Sequence, residues 1–454
     1  MSDLYCLTTS EAIKKIVSGQ IKAEEYISSY LNRIKQLEPN IKAWVCLDEQ
    51  HAINQAKYID KKISAGEITG ELAGIPIGVK DVFNTIDFPT QMGSPVWKNF
   101  TPGNDARVVF NLRQEDAIIP GKTVTAEFAV HTPGPTHNPY KHGYMTGTSS
   151  SGSAASVAAQ MVPLAIGTQT AGSTIRPASY CGIFGMKPSF GLIPRTGMLK
   201  TTDTLDSVGF FSRSVTDLKL MFEILRVKGE NYPISNKAIL KSKGGIRPGK
   251  KWKIGLVTDS LWTWEESESY AKESINGLAS KMTDDPNLQV KIVTLPEIFN
   301  SVHRLHQTIY NKTLAYYFKN EYNQKKLVSK IMRDLIEEGR KISLPDYQTA
   351  LTKQEKIGAL LNSLFEAKGL DAILTLSTGG EAMKGLNSVD RPDSCLVWTF
   401  CHAPTINLPA FRGPLNLPFG AQIIGRKYDD YNLLALAQHL ENNHYAFYSP
   451  LEII

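Results

Sequence analysis

The first 60 residues follow a helical pattern of apolar and polar positions. The apolar positions of "EEYISSYLNRIKQL" recur at intervals of three and four, which places them on one helix face: Ile27, Tyr30, Leu31, Ile34 and Leu37. Pro39 comes directly after this stripe and predicts the end of the helix. Thr8 and Glu11 have the spacing of a capping box and predict an earlier helix start.

Residues 70–220 change to short apolar runs set between glycine-rich turns. The runs are "GIPIGVKD", "AIIPGKT", "VPLAIGTQT" and "GIFGMKPS", each of a length typical of a buried strand. Later strands are predicted at "KWKIGLVTD", "LDAILTLS" and "APTINLPAF", and helices over 265–285, 303–368 and 429–441. Alternation of this kind indicates an α/β fold, and we predict a single large domain over residues 1–454.

Residues 228–250 are rich in glycine, lysine, asparagine and proline, which predicts an exposed connection. The chain has 50 Lys and Arg against 44 Asp and Glu, a net charge of +6, and part of the excess falls in 237–253. Aromatic residues that would stack bases do not alternate with these lysines. The basic stretch is therefore interpreted as solvated surface, and a nucleic-acid patch is the less favoured reading.

Cysteine usage and hydropathy narrow the class of protein further. The five cysteines are scattered and form no metal-binding motif: Cys6, Cys46, Cys181, Cys395 and Cys401. The first residues lack the order of a signal peptide, and the longest apolar stretch, about 153–167, is too short to span a bilayer. We expect a cytoplasmic protein without a metal, cofactor, membrane or nucleic-acid partner; a homodimer is left open.

Two familiar motifs are present only in part. "DAIIPGKT" (116–123) resembles a phosphate-binding loop, but Asp116 occupies the first glycine position, where a carboxylate repels phosphate. Ser269 and Lys272 form a Ser-x-x-Lys pair within an acidic helical stretch that is typical of exposed surface. The Gly-x-Ser-x-Gly elbow of α/β-hydrolases does not occur.

Three other segments carry residues suited to nucleophilic catalysis. Lys80 ends the apolar run "GIPIGVK", where burial lowers a lysine pKa and makes a neutral amine available as a base. Ser149 lies in "GTSSSGS", and Ser173 follows the small residues of "GTQTAGS", whose backbone amides can converge on an oxyanion. Taken one at a time, the segments are equally well explained as tight turns with a lysine that reaches solvent.

Taken together, the segments resemble the amidase signature family. The similarity covers about residues 70–215 and includes "PGKTVTAEFA", "TGTSSSGSAASVA" and "GTQTAGSTIRPASYCGIFGMKPSFG". It continues more weakly in "VWTFCHAPTINLPAF" and "LPFGAQIIG". Ser149 and Ser173 lie 24 residues apart, as is usual in the family. The resemblance implies one domain with a central mixed β-sheet covered by helices on both faces.

The resemblance also implies roles for individual residues. Ser173 would be the nucleophile, and its proton would pass through Ser149, after a cis Thr148–Ser149 peptide, to neutral Lys80. The oxyanion hole would be formed by four backbone N–H groups: those of Thr170, Ala171, Gly172 and Ser173. Gln169 and Arg176 are candidate substrate-binding residues.

Several positions keep more than one interpretation. The family often has Asp-x-Gly-Gly-Ser where this chain has Gln169 and Ala171, so the oxyanion loop is expected to differ slightly in shape. Arg176 is read first as a structural brace and second as a carboxylate anchor. A stripe at helical spacing indicates a core or surface face, with pocket lining as the alternative: His303, His306, Tyr310 and Tyr317.

The favoured function is a stand-alone amidohydrolase that cleaves the C–N bond of a small soluble amide or urea-like compound. One alternative is an acyltransferase with the same acyl-enzyme, and another is the glutamine-hydrolysing A subunit of a tRNA-dependent amidotransferase. The segment that usually distinguishes this third class is not found in residues 290–330. A non-catalytic scaffold is disfavoured because Lys80, Ser149 and Ser173 are all retained.

Overall fold

The computed structural model describes residues 4–244, 249–388 and 390–450. Its strands are β1 (Trp44–Leu47), β2 (Ile77–Lys80), β3 (Gly121–Thr123), β4 (Leu164–Gln169), β5 (Phe184–Lys187), β6 (Ser207–Ser212), β7 (Trp252–Leu256), β8 (Leu288–Ile292), β9 (Ala372–Leu376), β10 (Thr405–Arg412) and β11 (Pro418–Ile424).

The α-helices alternate with these strands along the chain. They are α1 (Thr9–Val17), α2 (Ala23–Ile41), α3 (Glu49–Ser64), α4 (Arg107–Gln114), α5 (Ser151–Ala158), α6 (Ile175–Tyr180), α7 (Val215–Leu225), α8 (Pro233–Gly244), α9 (Trp262–Glu265), α10 (Ser269–Met282), α11 (Val302–Tyr317), α12 (Lys330–Lys341), α13 (Leu344–Lys368), α14 (Leu396–Phe400) and α15 (Asp430–Asn442). Short 3₁₀ turns occur at Leu4–Cys6, Pro95–Trp97, Glu127–Ala129, Glu297–Ser301 and Glu321–Asn323.

The strands form one mixed sheet in the order β1-β3-β2-β4-β6-β5-β10-β11-β9-β7-β8. The pairs β3–β2, β2–β4, β9–β7 and β7–β8 are parallel, and the remaining neighbours are antiparallel. Every residue of β2, β4, β5, β6, β9 and β11 is buried. Strands buried along both faces require cover on both, which confirms the predicted α/β domain with a central mixed sheet.

The predicted early helix differs at its end. Helix α2 continues through Pro39 to Ile41 and stops at Lys42, which adopts a left-handed conformation (φ 57°). A proline in the last turn removes one helical hydrogen bond. Burial of Ile41, only 6% exposed, stabilises the extra residues. The capping box of Thr8 and Glu11 is present, as predicted.

Helices α11, α12 and α13 take the place of the single helical region predicted over 303–368. The predicted exposed connection at 228–250 contains helix α8, and its residues 245–248 lie outside the described part of the chain. Within the described ranges, no helix is both long and apolar enough to cross a membrane.

Two features of the sheet position the candidate site. Strands β2 and β4 are parallel neighbours, so Lys80 and Gln169, their last residues, lie at the same edge of the sheet. Helix α5, buried along its whole length, packs against both strands. A Cβ at Gly152 would lie 2.2 Å from the carbonyl oxygen of Ala43, so only glycine permits this approach. The small residues of "SSSGSAAS" therefore serve close packing.

Candidate active site

Lys80 is fully buried, and three hydroxyl groups surround its amine. Its Nζ lies 2.7 Å from Ser149 Oγ, 2.9 Å from Ser150 Oγ and 2.8 Å from Thr168 Oγ1. Burial lowers the pKa of Lys80 well below its usual value, and the more distant Asp206 carboxylate opposes this only in part. Burial therefore shifts the equilibrium toward the neutral amine, whose lone pair can accept a proton from a neighbouring hydroxyl.

Among the described residues, Ser149 forms a hydrogen bond with Lys80 but none with Ser173. Its hydroxyl donates to the carbonyl oxygen of Ala129 at 3.2 Å, and no hydrogen bond to Ser173 is present among the described residues. The expected cis peptide is also not found: every peptide bond of the described residues is trans, including Thr148–Ser149. The chain turns there through Thr148 itself, which adopts φ 70° after Gly147 at φ 89°. Lys80 and Ser149 lie within hydrogen-bond distance without a cis peptide, whereas the predicted link from Ser149 to Ser173 stays a prediction.

In the loop from Thr170 to Ser173, three carbonyl groups accept hydrogen bonds, whereas the N–H groups have no protein acceptor among the described residues. The carbonyl of Thr170 accepts from His306 Nε2 at 2.9 Å, and that of Ala171 accepts from Thr399 Oγ1 at 2.5 Å. The carbonyl of Gly172 accepts from the N–H of Arg176 at 2.9 Å. Across the described part of the chain, the N–H groups of residues 170–173 have no protein acceptor. A run of unpaired amides beside a serine hydroxyl has the donors that an oxyanion site requires.

A cavity of about 550 Å³ opens above this loop. Ser173, Thr170, Ala171 and Arg176 line it, as does Thr148. Ser173 is 8% exposed, and among the described residues its hydroxyl has no hydrogen-bond partner. The side chain that would attack a substrate therefore faces open space of a size suited to a small molecule.

The helical stripe of α11 contributes one wall of the cavity. His303, His306 and Tyr310 line it, whereas Tyr317 donates to Asp203 outside it at 2.7 Å. Pocket lining, the less favoured interpretation of this stripe, is thus correct for three of its four residues. Burial lowers the pKa of His306 to about 4, against the opposing effect of its hydrogen bond to Thr170, so the ring is neutral at ordinary pH.

Arg176 also lines the cavity and lies between two carboxylates. Its Nε is 3.1 Å from Asp390 Oδ2, and its Nη1 is 3.4 Å from Asp393 Oδ2. Burial opposes the charge, but the two carboxylates raise the pKa of Arg176 above its usual value. The ion pairs agree with the predicted brace, and the place of Arg176 in the cavity wall leaves a substrate contact open.

Asp390 and Asp393 were not singled out by the sequence, although both line the cavity together with Arg391. Asp393 also lies against the loop of residues 170–173, since a Cβ at Gly172 would be 2.3 Å from its Oδ1. The available signal was the charged stretch "DRPD" between two apolar segments. It could not be assigned because residues 390–393 are more than 200 positions from Ser173.

Gln169 lies outside the cavity lining and is fully buried. Its Oε1 accepts from the N–H groups of Thr174 and Ile175 at 2.8 and 2.9 Å. Its Nε2 donates to Thr399 Oγ1 at 2.9 Å. The side chain is thus engaged at both ends by the protein, so the structure offers it no route to a bound substrate.

Comparison with known proteins adds to this geometry. The model of the family described as Amidase matches residues 25–434. The chain belongs to the Amidase family. It is accordingly an enzyme that acts on amide bonds, and the similarity expected from the three sequence segments is confirmed.

Amidases similar to this chain are found among curated proteins and solved structures. The A subunit of the glutamyl-tRNA(Gln) amidotransferase of Carboxydothermus hydrogenoformans is 30% identical over 97% of this chain and 98% of that protein. Its counterpart in Natranaerobius thermophilus is 29% identical over 96% of both chains. The peptide amidase of Stenotrophomonas maltophilia has the same fold, with 24% identity, 98% coverage of both chains and a TM-score of 0.84.

Proposed function

We propose that this amidase hydrolyses the carboxamide of a small polar substrate through an acyl-enzyme on Ser173, and that glutamine is the leading candidate substrate. The observation that carries the proposal is the buried amine of Lys80, whose hydrogen bonds among the described residues all go to hydroxyl groups. One of these belongs to Ser149, whose neighbour in the chain, Thr148, lines the cavity together with Ser173. A buried amine without a carboxylate partner is suited to accept a proton.

In the proposed reaction, Ser173 Oγ attacks the amide carbon and its proton passes to Ser149 Oγ, while the Ser149 proton passes to Lys80 Nζ. For this, the Ser149 hydroxyl exchanges its acceptor, the Ala129 carbonyl, for the Lys80 lone pair when substrate is bound. Catalytic hydrogen bonds are often completed only in the substrate complex. The N–H groups of the 170–173 loop stabilise the negative oxygen of the tetrahedral intermediate.

The intermediate then collapses as the carbon–nitrogen bond breaks. The leaving nitrogen takes the stored proton back along the same route and departs as ammonia. Water attacks the acyl-enzyme with the same relay acting as base, which releases the carboxylic acid and restores the Ser173 hydroxyl. Another amine in place of water would give acyl transfer, the alternative that shares every earlier step.

The charges of the cavity support a zwitterionic substrate. Carboxylates at Asp390 and Asp393 and guanidinium groups at Arg176 and Arg391 line the same space. Arg176 is paired with both carboxylates and Arg391 with Glu268, so the ammonium and carboxylate groups of glutamine would add to ion pairs already present in this wall. The relatives are named as A subunits of glutamyl-tRNA(Gln) amidotransferases. These names support glutamine as the substrate more than they support the stand-alone amidase that the sequence favoured. We also propose that the enzyme acts with a partner protein and is located in the cytoplasm.

The test compares ammonia release from glutamine, asparagine and an uncharged amide such as propionamide, using the wild type and Ser173→Ala. We expect glutamine to be preferred and the alanine variant to release none. A preference for propionamide would instead favour the stand-alone amidase. Ammonia release that persists in Ser173→Ala would contradict the nucleophile.

A further inference from the structure

We propose that Gln169, Thr399 and His306 are positioning residues that fix the orientation of the oxyanion loop through its carbonyl groups. The inference rests on the proposed function, because it assigns these side chains to the loop that would stabilise the intermediate formed on Ser173. The polar atoms of these three side chains bond to the protein and not to the reacting atoms of the substrate.

The direction of each hydrogen bond follows from the chemistry of the groups. A carbonyl only accepts, so His306 Nε2 must carry a proton to bond Thr170. The Thr399 hydroxyl faces two carbonyl acceptors, Ala171 at 2.5 Å and Cys395 at 3.3 Å, and the shorter contact assigns its proton to Ala171. Thr399 has one proton, so its oxygen accepts from Gln169 Nε2. The result is a directed chain in which Gln169 donates to Thr399 and Thr399 donates to the Ala171 carbonyl.

These bonds determine where the amides point. In a planar trans peptide, the N–H points opposite to the C=O of the same unit. The Thr170 carbonyl shares its peptide with the Ala171 N–H, and the Ala171 carbonyl shares its peptide with the Gly172 N–H. His306 and Thr399 hold the two carbonyls from helices α11 and α14, and Ala171 lines the cavity. The N–H groups of Ala171 and Gly172 therefore point away from the His306 and Thr399 side chains.

An amide at position 169 is needed for the whole arrangement. Gln169 Oε1 accepts from the N–H groups of Thr174 and Ile175, while its Nε2 donates to Thr399. A carboxylate at this position could still accept from the two N–H groups but could not donate to Thr399. The Thr399 proton would then turn to the carboxylate and leave the Ala171 carbonyl without its partner.

The experiment uses the matched pair Thr399→Val and Thr399→Ser in the full-length protein. Valine has nearly the shape of threonine but no hydroxyl, whereas serine keeps the donor. The rate at which an alkyl fluorophosphonate labels Ser173 reports on the oxyanion site without any assumption about the natural substrate. We expect Thr399→Val to label about 10- to 100-fold more slowly, within the range known for displaced catalytic groups, and Thr399→Ser to label within about threefold of wild type.

Gln169→Glu and His306→Leu extend the test, with His306→Gln as the control that keeps a donor near the Nε2 position. Gln169→Glu and Thr399→Val should slow labelling by similar factors, and the double variant should be no slower than either, because both break one chain of hydrogen bonds. With substrate, kcat should fall while KM changes little. Melting temperatures are measured alongside so that slow labelling of a well-folded variant is distinguished from unfolding.

The outcomes separate the two proposals. If the wild type is not labelled at Ser173, the proposed function fails. If the wild type is labelled and folded Thr399→Val is labelled at the same rate, the nucleophile stands and the positioning role is refuted. Equal losses in Thr399→Val and Thr399→Ser would also refute it, since the loss would then not follow the hydroxyl.

Discussion

Replacement of Lys80 tests the proposed proton relay, and Lys80→Met and Lys80→Arg give opposite perturbations. Methionine keeps most of the apolar stem and removes the base; arginine keeps a charge that does not dissociate at working pH. A positioned general base contributes about 10²–10⁴-fold to rate. We expect both variants to lose at least about 10²-fold in kcat/KM.

The structure also gives the expected cost in stability. The amine contacts the hydroxyls of Ser149, Ser150 and Thr168, so Lys80→Met removes three hydrogen bonds. At about 1 kcal/mol each, the unfolding free energy should fall by about 3 kcal/mol. Lys80→Arg should be destabilised more, because it forces a charged group into a space where the described residues place no carboxylate in contact with position 80.

The pH dependence gives the sharpest assay. Because burial lowers the pKa of Lys80, kcat/KM of the wild type should rise with pH through that lowered pKa, below the ordinary lysine value of about 10.4. Over the range between these two values the unfolded state binds more protons, so the unfolding free energy should also rise with pH. Lys80→Met should lose the ascending limb of kcat/KM and the part of the stability increase that Lys80 contributes.

Lys187 provides a matched control. It is also fully buried, its Nζ contacts the carbonyls of Pro188 and Ala403, and burial lowers its pKa to about 7. It does not line the cavity. Lys187→Met should lower stability but keep the ascending pH limb of kcat/KM. An active Lys80→Arg enzyme with an unchanged pH profile would refute the assignment of Lys80 as the base.

Three further predictions concern other parts of the molecule. Arg176→Met should lower the unfolding free energy by about 3 kcal/mol in denaturant titrations, since it leaves Asp390 and Asp393 without their cation; an unchanged midpoint would show that the ion pairs do not brace the fold. Limited proteolysis should cut first within the largely exposed residues 228–244, and early cuts within the buried sheet would contradict the single core. A thiol reagent should modify exposed Cys6 first and the buried cysteines only in denaturant, so fast modification of several thiols in the native protein would contradict their burial.

The sequence predicted most of the sheet because its strands are short apolar runs between glycine-rich turns. β2, β4, β5 and β9 fall within runs identified in this way, and β10 extends one residue beyond its run, to Arg412. Strand β6, "SVGFFS", was not predicted, although it is fully buried between β4 and β5. Its neighbours in the sheet, rather than its own pattern, make it a strand.

The candidate site was predictable to a different degree. Lys80, Ser149 and Ser173 were identified because short motifs carry them. Asp393 and Thr399 were not, since they reach the 170–173 loop only through the folding of residues that are more than 200 positions away. The trans Thr148–Ser149 peptide could not be predicted either, because the family resemblance implied the other isomer.

The central claim is that Ser173 forms the covalent intermediate. The most direct measurement is peptide mapping by mass spectrometry after reaction with a fluorophosphonate, beside Ser173→Ala. The account predicts one adduct, on the peptide that contains Ser173, with loss of amidase activity in proportion to labelling and no adduct in the variant. An adduct on another residue that accompanies the loss of activity, or full activity in a protein labelled at Ser173, would contradict it.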